Sequence, residues 1–240
     1  MTNNNDERIV TAFSEMQIWY HKHIIHLMIF FILTGLPLFS ENFRWIAYIF
    51  GYPVSWFTDA ALKSEILATG IQACRVIHRV TALIFALVTI PFAIHMLKGI
   101  KGWHIWPNSL NPMDLGKGIN ALADSYLRFR RTKDVGKYNL GQKAVAWLFI
   151  IGIAAMVWSG VVMMFRGSFS PEMWYIARMV HDVFFVLIGV ALIAHMYFGM
   201  HPLNRCGNRA IFRTGETTLG HIKEKHWLWY ERLRKEGKVD

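Results

Sequence analysis

The stretch ARMVHDVFFVLIGVALIAHMYFGM, residues 177–200, decides the fold of this chain. Arg178 and Asp182 are its only formally charged residues, and from Val183 to Ala194 no side chain is polar. About 20 apolar residues suffice to carry a helix across ~30 Å of hydrocarbon, so this segment reads as a membrane span. His181 and His195 bracket the apolar run. Fourteen residues at 100° each stop 40° short of four turns, so the two imidazoles share one face, about 21 Å apart along the axis. That is most of the bilayer thickness.

Three more segments read the same way, at 21–39, 76–97 and 144–165. The expected fold is therefore an all-α integral membrane protein, a four-transmembrane-helix bundle forming one membrane domain over residues 1–240. The remaining parts are an N-terminal segment (1–20), an outer loop (40–75), an inner loop (98–143), a second outer loop (166–176) and a tail (201–240). Composition agrees. Apolar residues make up 54% and charged residues 18%, against about 45–50% and 25% in soluble domains. Disordered, collagen-like and disulfide-scaffold classes are excluded. Cys74 and Cys206 are the only cysteines, too few for a disulfide framework or a Cys-rich zinc or iron–sulfur site. The polar start, MTNNNDERIV, followed by a long apolar run without a small-residue cleavage site, does not read as a cleavable signal peptide.

Net charge is +10, and its distribution orients the chain. Nine basic residues (Lys98, Lys101, Lys117, Arg128, Arg130, Arg131, Lys133, Lys137 and Lys143) lie between spans two and three. Nine more follow span four, from Arg205 to Lys238. The other two connections carry only Arg44, Lys63 and Arg75, and Arg166 and Arg178. The positive-inside rule then puts both termini in the cytoplasm of a bacterial-type inner membrane. These charges serve topology and contact with anionic lipids; nucleic acid is not an expected partner. The aromatic stretch at 42–58, interrupted by Gly51 and Pro53, reads as an outer interfacial element. Residues 115–130 and the tail HIKEKHWLWYERLRKEGK have the spacing of helices lying along the inner surface. No internal repeat is evident.

The chemistry rests on histidine. Lipid offers no water to satisfy an imidazole, so each one inside a span needs a partner. Spans two and four enter from outside, which places His78 and His181 near the outer surface. Span one enters from the cytoplasm, so His21 lies at the inner depth of His195. Two bis-histidine sites stacked across a bundle suit two b-type haems, because imidazole is a standard axial ligand. His23 and His26, further along the same span, are alternatives to His21. His95 lies about 100° off the face of His78. His104, His201, His221 and His226 read as ordinary inner-surface residues.

Several motifs give the chain a family likeness. DVGKYNLGQK at 134–143, the His78–Arg79 pair, LTG at 33–35, AHMY at 194–197 and the ending EKHWLWYERL resemble the gamma subunit of membrane-bound formate dehydrogenases. The chain departs from that family in its longer segment between His21 and His78. The resemblance implies a diheme cytochrome b, with His21 and His195 as axial ligands of an inner haem b and His78 and His181 of an outer one. It implies a quinone, menaquinone or ubiquinone, beside the inner haem, contacted by Asn139, Gly141, Gln142 and His195. It also implies two partners: an iron–sulfur subunit, and a catalytic subunit holding molybdenum or tungsten with a pterin. On this reading the chain is the quinone-reducing electron-transfer subunit of an oxidoreductase and does not itself oxidise formate. Rival readings are the cytochrome subunit of a hydrogenase or sulfur-compound reductase, and a proton transporter with a histidine relay. Arg75, Arg79 and Arg178 flank the outer ligands and are candidates for holding haem propionates, since guanidinium matches carboxylate bidentately.

Overall fold

In the computed structural model the described residues are 6–58, 62–107, 111–128 and 135–239. Arg130, Arg131 and Lys133 of the basic loop, Asp134 of the signature segment, and the last two residues of the 115–130 stretch lie outside them. The chain divides into two units, residues 15–98 and residues 1–14 with 99–240. Among the described residues four helices are long and apolar enough to cross a membrane: Glu15–Phe39 (α1), Lys63–Lys98 (α3), Leu140–Met164 (α5) and Pro171–Met200 (α6). Within the most apolar window of each, 17%, 11%, 17% and 6% of residues are buried inside the protein. Most of their apolar side chains therefore face outward, which suits lipid and not water.

In the first unit α1 and α3 pack antiparallel. Tyr20 stacks on Phe92 with ring centroids 3.8 Å apart, and its hydroxyl is 3.2 Å from that of Thr89. At the other end Thr34 meets His78. The 36 residues of α3 make a rod of about 54 Å, far more than the ~30 Å of hydrocarbon. Its early turns, before the apolar run, have a protein partner. A 3₁₀ segment, Glu41–Ala47, and the short helix Tyr48–Ser55 (α2) fold onto them. The approach is close enough that a Cβ at Gly70 would collide with the Ala47 carbonyl oxygen, and one at Gly51 with that of Ile66. Trp45, Tyr52, Trp56 and Phe57 stay exposed on this element, as suits aromatic side chains at a membrane–water boundary.

In the second unit α5 and α6 form the other antiparallel pair. Gly152 admits the Ile188 side chain, which a Cβ there would meet at 2.9 Å. Ser170 caps α6 by accepting from the Met173 amide at 3.2 Å, with Pro171 in its first turn. The helix Pro112–Tyr126 (α4) packs its Leu122 against the start of α5.

The two ends of the chain make a small cap in this unit. The strand Ile9–Thr11 (β1) pairs antiparallel with Glu216–Thr218 (β2). Between α6 and β2 run Arg205–Arg209 (α7) and a π-helical turn, Ala210–Thr214. The helices Leu219–Lys225 (α8) and Trp227–Lys235 (α9) follow. The tail segment HIKEKHWLWYERLRKEGK, expected along the inner surface, forms two helices, divided at His226 with φ −134° and ψ 54°. Leu219, Ile222, Trp229, Tyr230 and Leu233 then close a core with Ala12, Ala210 and Val239. The apolar face of the tail is spent on the N-terminal segment.

Candidate haem-ligand sites and the start of helix 5

His78, half-buried on α3, is held by two residues of α1. Its Nδ1 lies 2.9 Å from the Thr34 hydroxyl, and Phe31 meets its ring edge-on at 5.1 Å. Thr34 is wholly buried, and its hydroxyl donates to the Phe30 carbonyl at 2.6 Å. His181, on α6, has the same arrangement with α5. Its Nδ1 is 2.9 Å from the Ser159 hydroxyl, which donates to the Ala155 carbonyl at 2.7 Å and is also wholly buried. Its ring lies against bare backbone: a Cβ at Gly160 would stand 3.7 Å from its Cε1.

Both histidines stand out in the sequence as candidate ligands, and neither hydroxyl does. A signal was available. A hydroxyl–glycine pair, Thr34–Gly35 or Ser159–Gly160, stands near the end of the first helix of each hairpin. A histidine, in VIHRV or MVHDV, stands near the start of the apolar run of the second.

His21 is half-buried on α1, whereas His23 and His26 are exposed. Their Nδ1 atoms bond back to the carbonyls of Trp19 at 2.7 Å and Lys22 at 2.9 Å. His195 is exposed on α6, with Phe149 edge-on at 5.8 Å. His95 is exposed on α3. The expectation that His104, His221 and His226 are ordinary surface residues is corrected, since all three are partly buried in the cap. His226 bonds the Gly136 carbonyl through Nδ1 at 2.8 Å, and His104 meets Trp229 edge-on at 6.1 Å. Burial, helped by Lys137 and Arg232, pushes His104 down to about 4.

Asn139 and Gln142 begin α5 as a reciprocal capping box. The Asn139 side-chain oxygen accepts from the Gln142 amide at 2.8 Å, and that of Gln142 from the Asn139 amide at 3.0 Å. Only an oxygen can accept from a backbone N–H, so these bonds fix both amide orientations. The cap uses the oxygens and not the NH₂ donors. Gly141 makes room for Leu122, whose Cδ1 a Cβ there would meet at 2.8 Å. Lys137, two residues ahead, donates to the Ala12 carbonyl beneath the rings of Phe13 and Trp229. Burial pushes its ammonium down to about 8. The candidate propionate arginines are all exposed. Arg75 reaches Gln72 at 3.3 Å, and Arg178 pairs with Asp182 at 3.8 Å.

The described residues contain no group of three or more His, Cys, Asp or Glu that could hold a metal ion. Single imidazoles fixed inside apolar helix pairs suit a metal whose other ligands come from a macrocycle. The donor set thus fits haem. Residues 12–207 match the family described as prokaryotic cytochrome b561. The chain belongs to that family. It is a multi-pass inner-membrane protein of the electron-transport class. Its relatives include the formate dehydrogenase cytochrome b556(fdo) subunit of Escherichia coli K12. That relative is 25% identical over 208 residues, 85% of this chain and 83% of its own length. The formate dehydrogenase cytochrome b556 subunit of Haemophilus influenzae Rd is 25% identical over 232 residues, 95% of this chain and 84% of its own. The nitrate-inducible cytochrome b556(Fdn) subunit of E. coli K12 is 22% identical over 207 residues, covering 85% and 82%.

Proposed function

We propose that this cytochrome is the membrane subunit of a formate dehydrogenase, carrying electrons from an iron–sulfur partner at the outer surface to a quinone near the cytoplasm. The observation that carries the reading is near-full-length similarity to subunits with that name, joined to span histidines at two depths. Haem b, when bound, supplies reversible one-electron chemistry. On this reading His78 and His181 hold an outer haem, and His21 and His195 an inner one. Oxidation of formate belongs to a partner holding molybdenum or tungsten with a pterin. On this reading both termini lie in the cytoplasm, which the excess of basic residues in the inner loop and tail supports. There Arg205, Arg209 and Arg213, around a hollow of about 420 Å³ directly after α6, meet anionic lipid headgroups.

Quinone binding falls to the start of α5 and to His195. A quinone carbonyl accepts hydrogen bonds, and the NH₂ groups of Asn139 and Gln142 are the donors their cap does not use. One imidazole nitrogen of His195 would hold iron, and the other, as N–H, would donate to a quinone oxygen. Reduced quinone needs two protons, which cytoplasmic water supplies at this side. Asn139→Asp and Gln142→Glu preserve the capping geometry, since Asp caps as well as Asn and Glu serves the box as Gln does, but each removes an NH₂ donor. Both variants should keep normal b-type spectra and thermal stability while haem reoxidation by quinone slows. Unchanged reoxidation in both would remove the quinone from this site. The partner assignment has its own test. Formate should reduce the b-type spectrum in the purified complex, and reduction by hydrogen with no response to formate would overturn it.

A further inference from the structure

The two helix hairpins treat their histidines identically. Each hydroxyl stands five residues before its helix ends, Thr34 before Phe39 and Ser159 before Met164. Each is followed by glycine, is wholly buried, and lies 2.9 Å from a histidine Nδ1 on the partner helix. We propose that Thr34 and Ser159 are positioning residues that lock His78 and His181 as Nδ1–H tautomers and so present Nε2 to iron. The inference deepens the reading of these histidines as axial ligands and rests on it.

A hydroxyl carries a single proton, and the geometry decides where it goes. The carbonyls of Phe30, at 2.6 Å, and Ala155, at 2.7 Å, can only accept. If the hydroxyl donated to the imidazole instead, two oxygens would face each other at those distances with no proton between them. No water can intervene at a side chain with no exposed surface. The hydroxyl proton is therefore committed to the backbone, and the hydroxyl oxygen accepts from Nδ1–H. That places the ring's lone pair on Nε2, the nitrogen remote from the backbone. Metal-bound histidines commonly give their second nitrogen to an acceptor, which fixes ring orientation and raises ligand basicity. Here the acceptor is a neutral hydroxyl anchored to its own helix, so ring angle and tautomer are set before cofactor arrives. A more basic Nε2 favours oxidised iron and lowers the potential of the site.

The test compares Thr34→Val and Ser159→Ala, which delete the hydroxyl, with Thr34→Ser and Ser159→Thr, which keep it, all in the assembled complex. Haem content, low-spin EPR and the midpoint potentials are read in each. The deletions should raise the potential of one and the same haem, alter its EPR signal, and weaken its retention by about 10–100-fold. The conservative variants should stay near wild type. Unmoved potential and EPR in both deletion variants would overturn the proposal. So would Thr34→Ser behaving like Thr34→Val, since packing and not the hydroxyl would then be at work. His78→Ala and His181→Ala separate the two levels of the argument. If both haems survive those substitutions, the ligand reading itself fails; if one haem is lost while the hydroxyl variants change nothing, only the tautomer inference falls.

Discussion

Single residues decide whether a pair of apolar helices can become a redox site. His78 and His181 each sit in an apolar helix pair with a hydroxyl partner, so on the proposed ligation loss of either imidazole would leave iron one axial ligand short. His78→Ala and His181→Ala should each remove one of the two proposed haems and leave the other spectrally intact, as measured by pyridine haemochrome content and redox titration. Loss of both haems at normal protein levels would contradict independent sites. His21→Ala is expected to behave in the same way toward the proposed inner haem, because two and five residues at 100° each put His23 and His26 about 160° and 140° round α1 from His21. The histidines were legible in the sequence because a polar ring in a run of Val, Leu and Ile is conspicuous. The hydroxyls were not, because Ser and Thr inside a helix commonly bond back to the preceding turn, and both of these do. What marks them out is the second bond, across to a neighbouring helix, which has no trace in a single segment read alone.

At the scale of elements the four spans were legible from apolar length, while their ends and attachments were not. Apolar runs show where lipid lies, but α3 continues for thirteen residues ahead of the predicted span, covered there by α2. Gly51 and Gly70 allow that cover, although glycine in the sequence reads as readily as a breaker. Gly70→Leu should separate α2 from α3 at a cost of ~1–3 kcal/mol typical of overpacking, seen as faster amide exchange over residues 47–51. Exchange rates equal to wild type would mean the contact is dispensable. The cap adds a pH dependence. Burial holds His104 near 4 and also lowers His221 and His226. In the unfolded chain such groups take up a proton near their ordinary 6.5, so the cap loses stability as pH falls from about 6.5 toward 4. Lys137, near 8, acts in a separate window: its buried charge weighs on the cap below pH 8, and the burden lifts between 8 and 10.5. Amides of β1 and β2, corrected for intrinsic rates, should therefore be less protected at pH 5 than at pH 7.5. Equal protection at the two values would show that these histidines do not govern the cap.

For the whole molecule, membrane class and charge asymmetry were legible from composition, but the union of the two ends was hidden. Each strand is three residues long, and they pair across more than two hundred residues of chain, where no periodicity signals a partner. The pairing bears on topology, because β1 and β2 tie the N-terminal segment to the tail and both must then lie on one side of the membrane. An even number of spans demands the same, and on the proposed reading the basic residues put that side in the cytoplasm. The two native cysteines allow a direct test without engineering. Cys206 is exposed on α7 among Arg205, Arg209 and Arg213, whereas Cys74 is wholly buried in α3. A membrane-impermeant maleimide should label the chain in inverted vesicles and leave it unlabelled in right-side-out spheroplasts, and Cys206→Ser should abolish the labelling. Labelling in intact spheroplasts would invert the orientation. It would also move Asn139 and Gln142 to the outer face, where quinone protonation would draw on the wrong compartment for charge to cross the bilayer.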